Sequence, residues 1–207
     1  MHIGILGGTF DPLHFGHIRP AQTALKTLAL DEIWLMPNHI PPHKDKTLVT
    51  TQDRLNMVRQ TCQTLNHFTL CDLEAKRESP SYTVTSLKQL IHDYPEHTFY
   101  FLMGMDSFLS LPKWYQWKHL FTLCHLVICQ RPNNPLTETD SIFPEYKKRL
   151  STSIKPQQKS GLIYHVDVEA QPYSSTTIRQ QIKQNMIDKS AMPTPVYHYI
   201  KAHHLYQ

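Results

Sequence analysis

The chain has 207 residues, 40% of them hydrophobic, and its 21 Lys and Arg against 17 Asp and Glu give a formal charge of +4 and a pI near 8.8. That length suits a single domain with a sizeable core. Its basic residues are scattered without a like-charge run, which argues against a nucleic-acid footprint, and no apolar stretch nears the roughly eighteen residues of a membrane span.

The four cysteines form no CxxC pair and sit in apolar stretches, as reduced core thiols do, and the opening residues lack a signal-peptide pattern. A cytoplasmic protein is therefore expected. Fourteen histidines add positive charge just below neutral pH, because a free imidazole titrates near about 6.5, and anionic ligands profit from that.

In chain order, "HIGIL" is a short apolar run that stops at Gly7-Gly8 and predicts a buried strand. Ile18, Ala21, Leu25 and Leu28 recur at helical spacing, so a helix follows from Phe15 to Leu28. "EIWLMP" predicts a second buried strand, closed by Pro37, and the proline-bearing residues 37–50 an ordered loop. Thr50 with Asp53 is a capping-box pattern, and Leu55, Val58, Cys62 and Leu65 line one helix face after it. "FTLCDLE" then reads as strand, "SYTVTSLKQLIHDY" as helix, "TFYFLMG" as strand, "LPKWYQWKHLF" as a short helix and "HLVICQRP" as strand. Residues 132–160 are polar and weakly patterned, a variable connection with one helical turn set. "GLIYHVDV" returns as strand, and residues 174–207 form a helical part built from "SSTTIRQQIKQN" and "TPVYHYIKAHHLY". Strands alternating with helices predict an α/β fold, a Rossmann-like doubly wound parallel sheet flanked by helices, with a C-terminal helical segment.

Strand, glycine turn, helix is the first half of a nucleotide-binding unit, yet neither G-x-G-x-x-G nor a Walker loop is present. Gly7 and Gly8 let backbone approach a ligand, and His14 and His17 stand near a helix N-terminus, whose partial positive charge and free N–H groups suit an anion. Two other readings compete. His residues three apart can share a metal ion, but no nearby Cys or Glu supplies further zinc ligands; and two surface histidines on an ordinary helix need no ligand at all.

Gly7-Gly8-Thr9-Phe10-Asp11-Pro12 followed by His14-x-Gly16-His17 resembles the signature of the bacterial nicotinate-nucleotide adenylyltransferases, members of the nucleotidylyltransferase superfamily. The resemblance implies one nucleotidylyltransferase domain over residues 1–207, and implies that His14 and His17 meet ATP phosphates while Gly7, Gly8, Thr9 and Phe10 line the ATP site. Ser174 to Arg179 matches the second superfamily mark: hydroxyls at a helix start and an Arg one turn in, so Ser175, Thr176 and Arg179 are assigned to the triphosphate. On its own a Ser-Ser-Thr start is more often only a cap.

By the same resemblance Asn38, His43 and Lys44 belong to a substrate loop, Lys44 acting with His14, His17 and Arg179 on charge. Thr83 helps hold the nicotinate ring; Gly104 and Asp106 follow a strand end where a carboxylate can accept from ribose hydroxyls; Trp114 stacks on the pyridine beside Tyr115; and Arg131 closes the adenosine site. Trp117 is assigned instead to a helix core face with Trp114's neighbours. Ser79, Thr85-Ser86 and Asn133 depart from the family pattern.

The implied reaction joins nicotinate mononucleotide to ATP, with magnesium carried by ATP and water and no protein metal site, since carboxylates are not clustered. ATP and nicotinate mononucleotide are the expected partners, with neither nucleic acid nor membrane; a homo-oligomer is left open. Adenylyl transfer to nicotinamide mononucleotide or phosphopantetheine, cytidylyl transfer, and a non-catalytic nucleotide-binding regulator stay open as alternatives.

Overall fold

The computed structural model describes residues 1–39, 47–77, 79–130, 135–153 and 157–207. In chain order the elements are β1 (His2–Gly8), α1 (Phe15–Thr27), β2 (Glu32–Pro37), α2 (Thr51–Cys62), β3 (Phe68–Leu70), α3 (Thr83–Asp93), β4 (Thr98–Gly104), α4 (Met105–Ser110), α5 (Leu120–Leu123), β5 (His125–Gln130), α6 (Phe143–Arg149), β6 (Ile163–Asp167), α7 (Ser175–Lys183) and α8 (Thr194–Ala202). The strands form one six-stranded sheet in the order β3-β2-β1-β4-β5-β6, and the pairs β1–β4, β4–β5 and β5–β6 are parallel. This is the doubly wound order, which reverses direction at β1. No helix among the described residues is long and apolar enough to cross a membrane.

The chain clusters into two compact units: Met1–Gly7, Pro20–Ile33 and Tyr82–Ala170 make one, and Gly8–Arg19, Trp34–Ser81 and Gln171–Gln207 the other. In the first unit, β4 and β5 are nearly continuous apolar runs, as strands covered on both faces must be. Register aligns Ile5 with Phe101, Phe101 with Leu126 and Leu126 with Ile163, a row of fully or almost fully buried side chains across four strands. In the second unit, α2 begins with the expected capping box: the Thr50 hydroxyl accepts from the Asp53 amide, and the Asp53 carboxylate accepts from the Thr50 amide. Tyr199 of α8 ties onto the same turn, donating its hydroxyl proton to Asp53 Oδ1 at 3.1 Å and accepting from Asn56.

Three segments depart from the sequence pattern. β3 ends at Leu70, because the Cys71 amide bonds the Leu35 carbonyl and a turn over Leu73–Lys76 follows, its Lys76 amide donating to the Asp72 carbonyl. "LPKWYQWKHLF" is not one helix: Gln116 sits in the left-handed region at φ 49°, separating a first short 3-10 turn from a second that runs directly into α5. Trp117 is consequently half-buried, edge-on to Phe121, instead of forming a core face. α2 stops at Cys62, so Leu65 lies beyond it, and α4 forms directly after β4 where no helix was expected. Cys71, Cys124 and Cys129 are buried free thiols and Cys62 is half-buried. Burial pushes Cys62 and Cys124 up to about 12 and Cys71 to about 11, which keeps them protonated and inert.

His125 heads β5 with no exposed surface, packed against Tyr100 and Tyr164. Its Nδ1 accepts from the Leu162 amide at 3.2 Å, which puts the ring proton on Nε2, where it donates to the Gln158 carbonyl at 3.1 Å. Protonating Nδ1 would set N–H against N–H in a desolvated site, and burial lowers this imidazole to about 4. Because the folded value lies below the unfolded one of about 6.5, stability is whole above that pH and falls as pH drops toward 4, by on the order of 3 kcal/mol from this group. Urea unfolding at pH 5 should show about 2 kcal/mol of that loss relative to pH 7.5, and the difference between the two pH values should shrink in His125→Leu.

Candidate functional site

In the second unit the chain leaves Gly8 and makes a tight turn before α1. Phe10 lies in the left-handed region at φ 50°, an uncommon conformation for a residue with a Cβ, and the Asp11-Pro12 peptide is cis. The Phe10 ring folds back on Gly8, where an added Cβ would come within 2.9 Å of it. Close approach therefore accounts for Gly8. Phe10 also meets His17 edge-on, with ring centroids 5.2 Å apart.

His14 precedes α1, and its carbonyl accepts from the amides of His17 and Ile18. Its imidazole is buried at 4% exposure and lies 3.9 Å, centroid to centroid, from that of His17. The His14 amide donates to His17 Nδ1 over a long 3.4 Å, which in the neutral ring puts the proton on Nε2. Gly16 is required by contact: a Cβ there would sit 2.7 Å from the His14 ring and 2.8 Å from the Tyr173 carbonyl. Arg19 holds the Tyr173 segment against this helix, bonding Gln171 at 2.7 Å and lying over the rings of Phe15 and Tyr173.

The second motif arrives at the same turn. Ser174 caps α7, accepting from the Thr177 amide at 3.1 Å. Ser175 Oγ donates to the Pro12 carbonyl at 3.1 Å, and Arg179 donates to the Asp11 carbonyl at 2.7 Å. Thr176 is exposed at the helix start. The two segments that the sequence pattern singled out are therefore bonded to one another in the second unit. The N-termini of α1 and α7 both add free amides and partial positive charge near that turn.

Two residues here were not singled out from sequence. Arg54 on α2 has no exposed surface; it donates to the Thr9 carbonyl at 2.7 Å and to Thr51 Oγ1 at 3.1 Å. Burial lowers its pKa and the nearby Asp11 charge offsets part of that. Its signal was position: Arg54 shares the apolar face of α2 with Met57, Val58 and Thr61, where a solvated arginine does not belong. The other is Tyr206, whose hydroxyl donates to Asp11 Oδ1 at 2.7 Å across a separation of 195 residues.

Asn38 donates its amide to the Gly8 carbonyl, and its Oδ1 is buried without a hydrogen-bond partner among the described residues. His39 bonds Thr51 Oγ1 through Nδ1. His43, Lys44 and Arg131, together with Asn133, lie outside the described residues.

The remaining predicted positions belong to the first unit. Gly7 ends its share of β1; Thr83 opens α3 after Tyr82. Gly104 caps α4, and an added Cβ there would meet nothing within 4 Å, so the glycine leaves open space beside the exposed Asp106. Trp114 is half-buried and edge-on to Phe101, while the exposed Tyr115 lies 4.8 Å from the Tyr82 ring. No group of three His, Cys, Asp or Glu among the described residues is arranged to hold a metal ion.

A cytidylyltransferase-like family model matches residues 5–181. A Shewanella sediminis protein named "Probable nicotinate-nucleotide adenylyltransferase" is 52% identical, covering 100% of this chain and 99% of its own. Its counterpart of the same name from Shewanella woodyi is 51% identical over 100% of both chains. Among solved structures, Plasmodium falciparum nicotinic acid mononucleotide adenylyltransferase complexed with NaAD matches with a TM-score of 0.73 at 22% identity, covering 99% of this chain and 97% of that one. The last is a likeness of fold.

The contacts around Gly16 lead to a direct test. Gly16→Ala should displace the His14 imidazole and lower stability by about 1–3 kcal/mol, measured by a shift of the His14 ring NMR signals and by thermal unfolding.

Proposed function

The chain belongs to the cytidylyltransferase-like family, among relatives that carry the nicotinate-nucleotide adenylyltransferase name, and from that premise we propose that it transfers the adenylyl group of ATP to nicotinate mononucleotide. The products are nicotinate adenine dinucleotide and pyrophosphate. The observation that carries this reading is the bonding of Ser175 and Arg179 to the Pro12 and Asp11 carbonyls beside His14 and His17, two triphosphate motifs brought to one turn.

A phosphate oxygen of the mononucleotide attacks the α-phosphorus of ATP; the new O–P bond forms as the bond to the β-phosphate oxygen breaks. No general base is required, since a phosphate monoester loses its second proton near about pH 6. The protein's part is positioning and charge stabilisation, as in phosphoryl transfer generally. His17 offers Nε2–H and His14 its imidazole to the departing pyrophosphate, with Gly8, Thr9 and Phe10 giving close backbone approach. Ser175, Thr176 and Arg179 serve the same anion from α7, with Lys44 assigned to the same charge and His43 to the mononucleotide. Asn38 offers its buried side-chain oxygen to the mononucleotide.

In the first unit, Trp114 is assigned to the pyridine ring, with Tyr115 and Thr83 beside it, and Gly104 and Asp106 to adenosine, with Arg131. Magnesium enters with ATP as part of the substrate, held by phosphates and water. A step consuming ATP in a protein with protonated free cysteines suits the cytoplasm.

Pyrophosphate release from ATP and magnesium tests the reading, with nicotinate mononucleotide, nicotinamide mononucleotide and phosphopantetheine offered in parallel. The nicotinate acid should give the fastest release; equal or faster release with another acceptor would overturn the substrate assignment. His17→Ala should lower turnover about a hundred- to a thousandfold, and a loss under tenfold with ATP binding intact would remove His17 from the mechanism.

A further inference from the structure

The turn that carries His14 is held by partners from four distant segments. Carbonyls of Thr9, Asp11 and Pro12 accept from Arg54, Arg179 and Ser175. The Asp11 carboxylate, 7% exposed, accepts from the Leu48 amide at 3.2 Å on Oδ2 and from the Tyr206 hydroxyl at 2.7 Å on Oδ1. Tyr206 itself is 6% exposed, so water cannot readily replace it. Burial and the Asp11 charge push its phenol up, and it stays a donor at every working pH.

We infer that Tyr206 is a positioning residue of the phosphate site, acting through Asp11 to fix the turn that presents His14 and His17. The physical reason is a competition. Asp11 lies within the field of the buried Arg54, and the Arg179 guanidinium is close by on the Asp11 main-chain carbonyl, so the carboxylate has a cation to turn toward. With Oδ1 bonded by a neutral hydroxyl, the carboxylate is kept in place and Arg179 bonds the Asp11 main chain instead. Without that hydroxyl, Oδ1 is a buried acceptor with no donor, a costly state that the side chain escapes by turning toward a guanidinium. Asp11 then moves relative to the left-handed Phe10 and to His14, three residues on. A shift of about 1 Å in groups aimed at a transition state costs on the order of a hundredfold in rate.

This inference rests on the adenylyltransferase reading for its kinetic arm only. Tyr206→Phe, Asp11→Ala and the double variant are compared with the wild type and with Val196→Ala, a core truncation in α8 of the same unit. Four readouts are taken: thermal midpoint, kcat, KM for nicotinate mononucleotide and the imidazole NMR shifts of His14 and His17. Tyr206→Phe should move both imidazole signals and lower kcat tenfold or more at temperatures where it is fully folded, with KM for nicotinate mononucleotide changed less than twofold. The double variant should lose no more than the worse single one, because both remove one bond. If Tyr206→Phe lowers the midpoint as Val196→Ala does while leaving kcat and both imidazole signals at wild-type values, Tyr206 is only structural and the inference fails. If the wild type itself does not turn over nicotinate mononucleotide, the proposed function fails, and the imidazole signals alone decide the role of Tyr206.

Discussion

A buried turn has to satisfy its own carbonyls, and in this protein side chains do it where a sheet or helix cannot. Thr9, Asp11 and Pro12 lie between β1 and α1, with Phe10 in a conformation that costs about 1–2 kcal/mol in isolation. Arg54 and Arg179 each spend a hydrogen bond on this backbone, and Ser175 a third. Charged donors make such bonds about twice as strong as neutral ones, which is enough to keep an unfavourable turn in one geometry. Everything that depends on where His14 and His17 point depends on this arrangement.

The same arrangement explains a local excess of positive charge. The Arg54 guanidinium lies beside the Asp11 carboxylate, Arg179 bonds the Asp11 carbonyl, and the N-termini of α1 and α7 add their dipoles. Such a site suits an anionic ligand. Burial of Arg54, which lowers its pKa, shows the cost of keeping a cation there; the Thr9 carbonyl and Asp11 compensate it.

Alternation of apolar runs and helical stripes was sufficient to recover the α/β class and the strands β1, β2, β4, β5 and β6, because strands buried on both faces leave an unmistakable local pattern. It also singled out the two segments that bond one another around the Asp11-Pro12 turn, because their Gly, His, Ser and Arg types stand out locally. The residues 105–123 were misread because the break at Gln116 depends on a left-handed residue that is not glycine, and because α4 follows β4 with only Gly104 as a cap. Tyr206 was invisible for a different reason: its role exists only through a contact 195 residues away, and a tyrosine in a polar stretch carries no local mark of it. Arg54 was legible in principle, as a cation on an apolar face, and its partner on Thr9 was not.

The claim on which the account stands is that the turn from Gly8 to His17 is a phosphate site completed by α7. Titrating the wild-type protein with pyrophosphate while following the assigned imidazole signals of His14 and His17 and the Arg179 guanidinium signal tests it without any acceptor. All three groups should respond together with one dissociation constant, and ATP should compete at the same site. Pyrophosphate binding that leaves both imidazoles unmoved would contradict it.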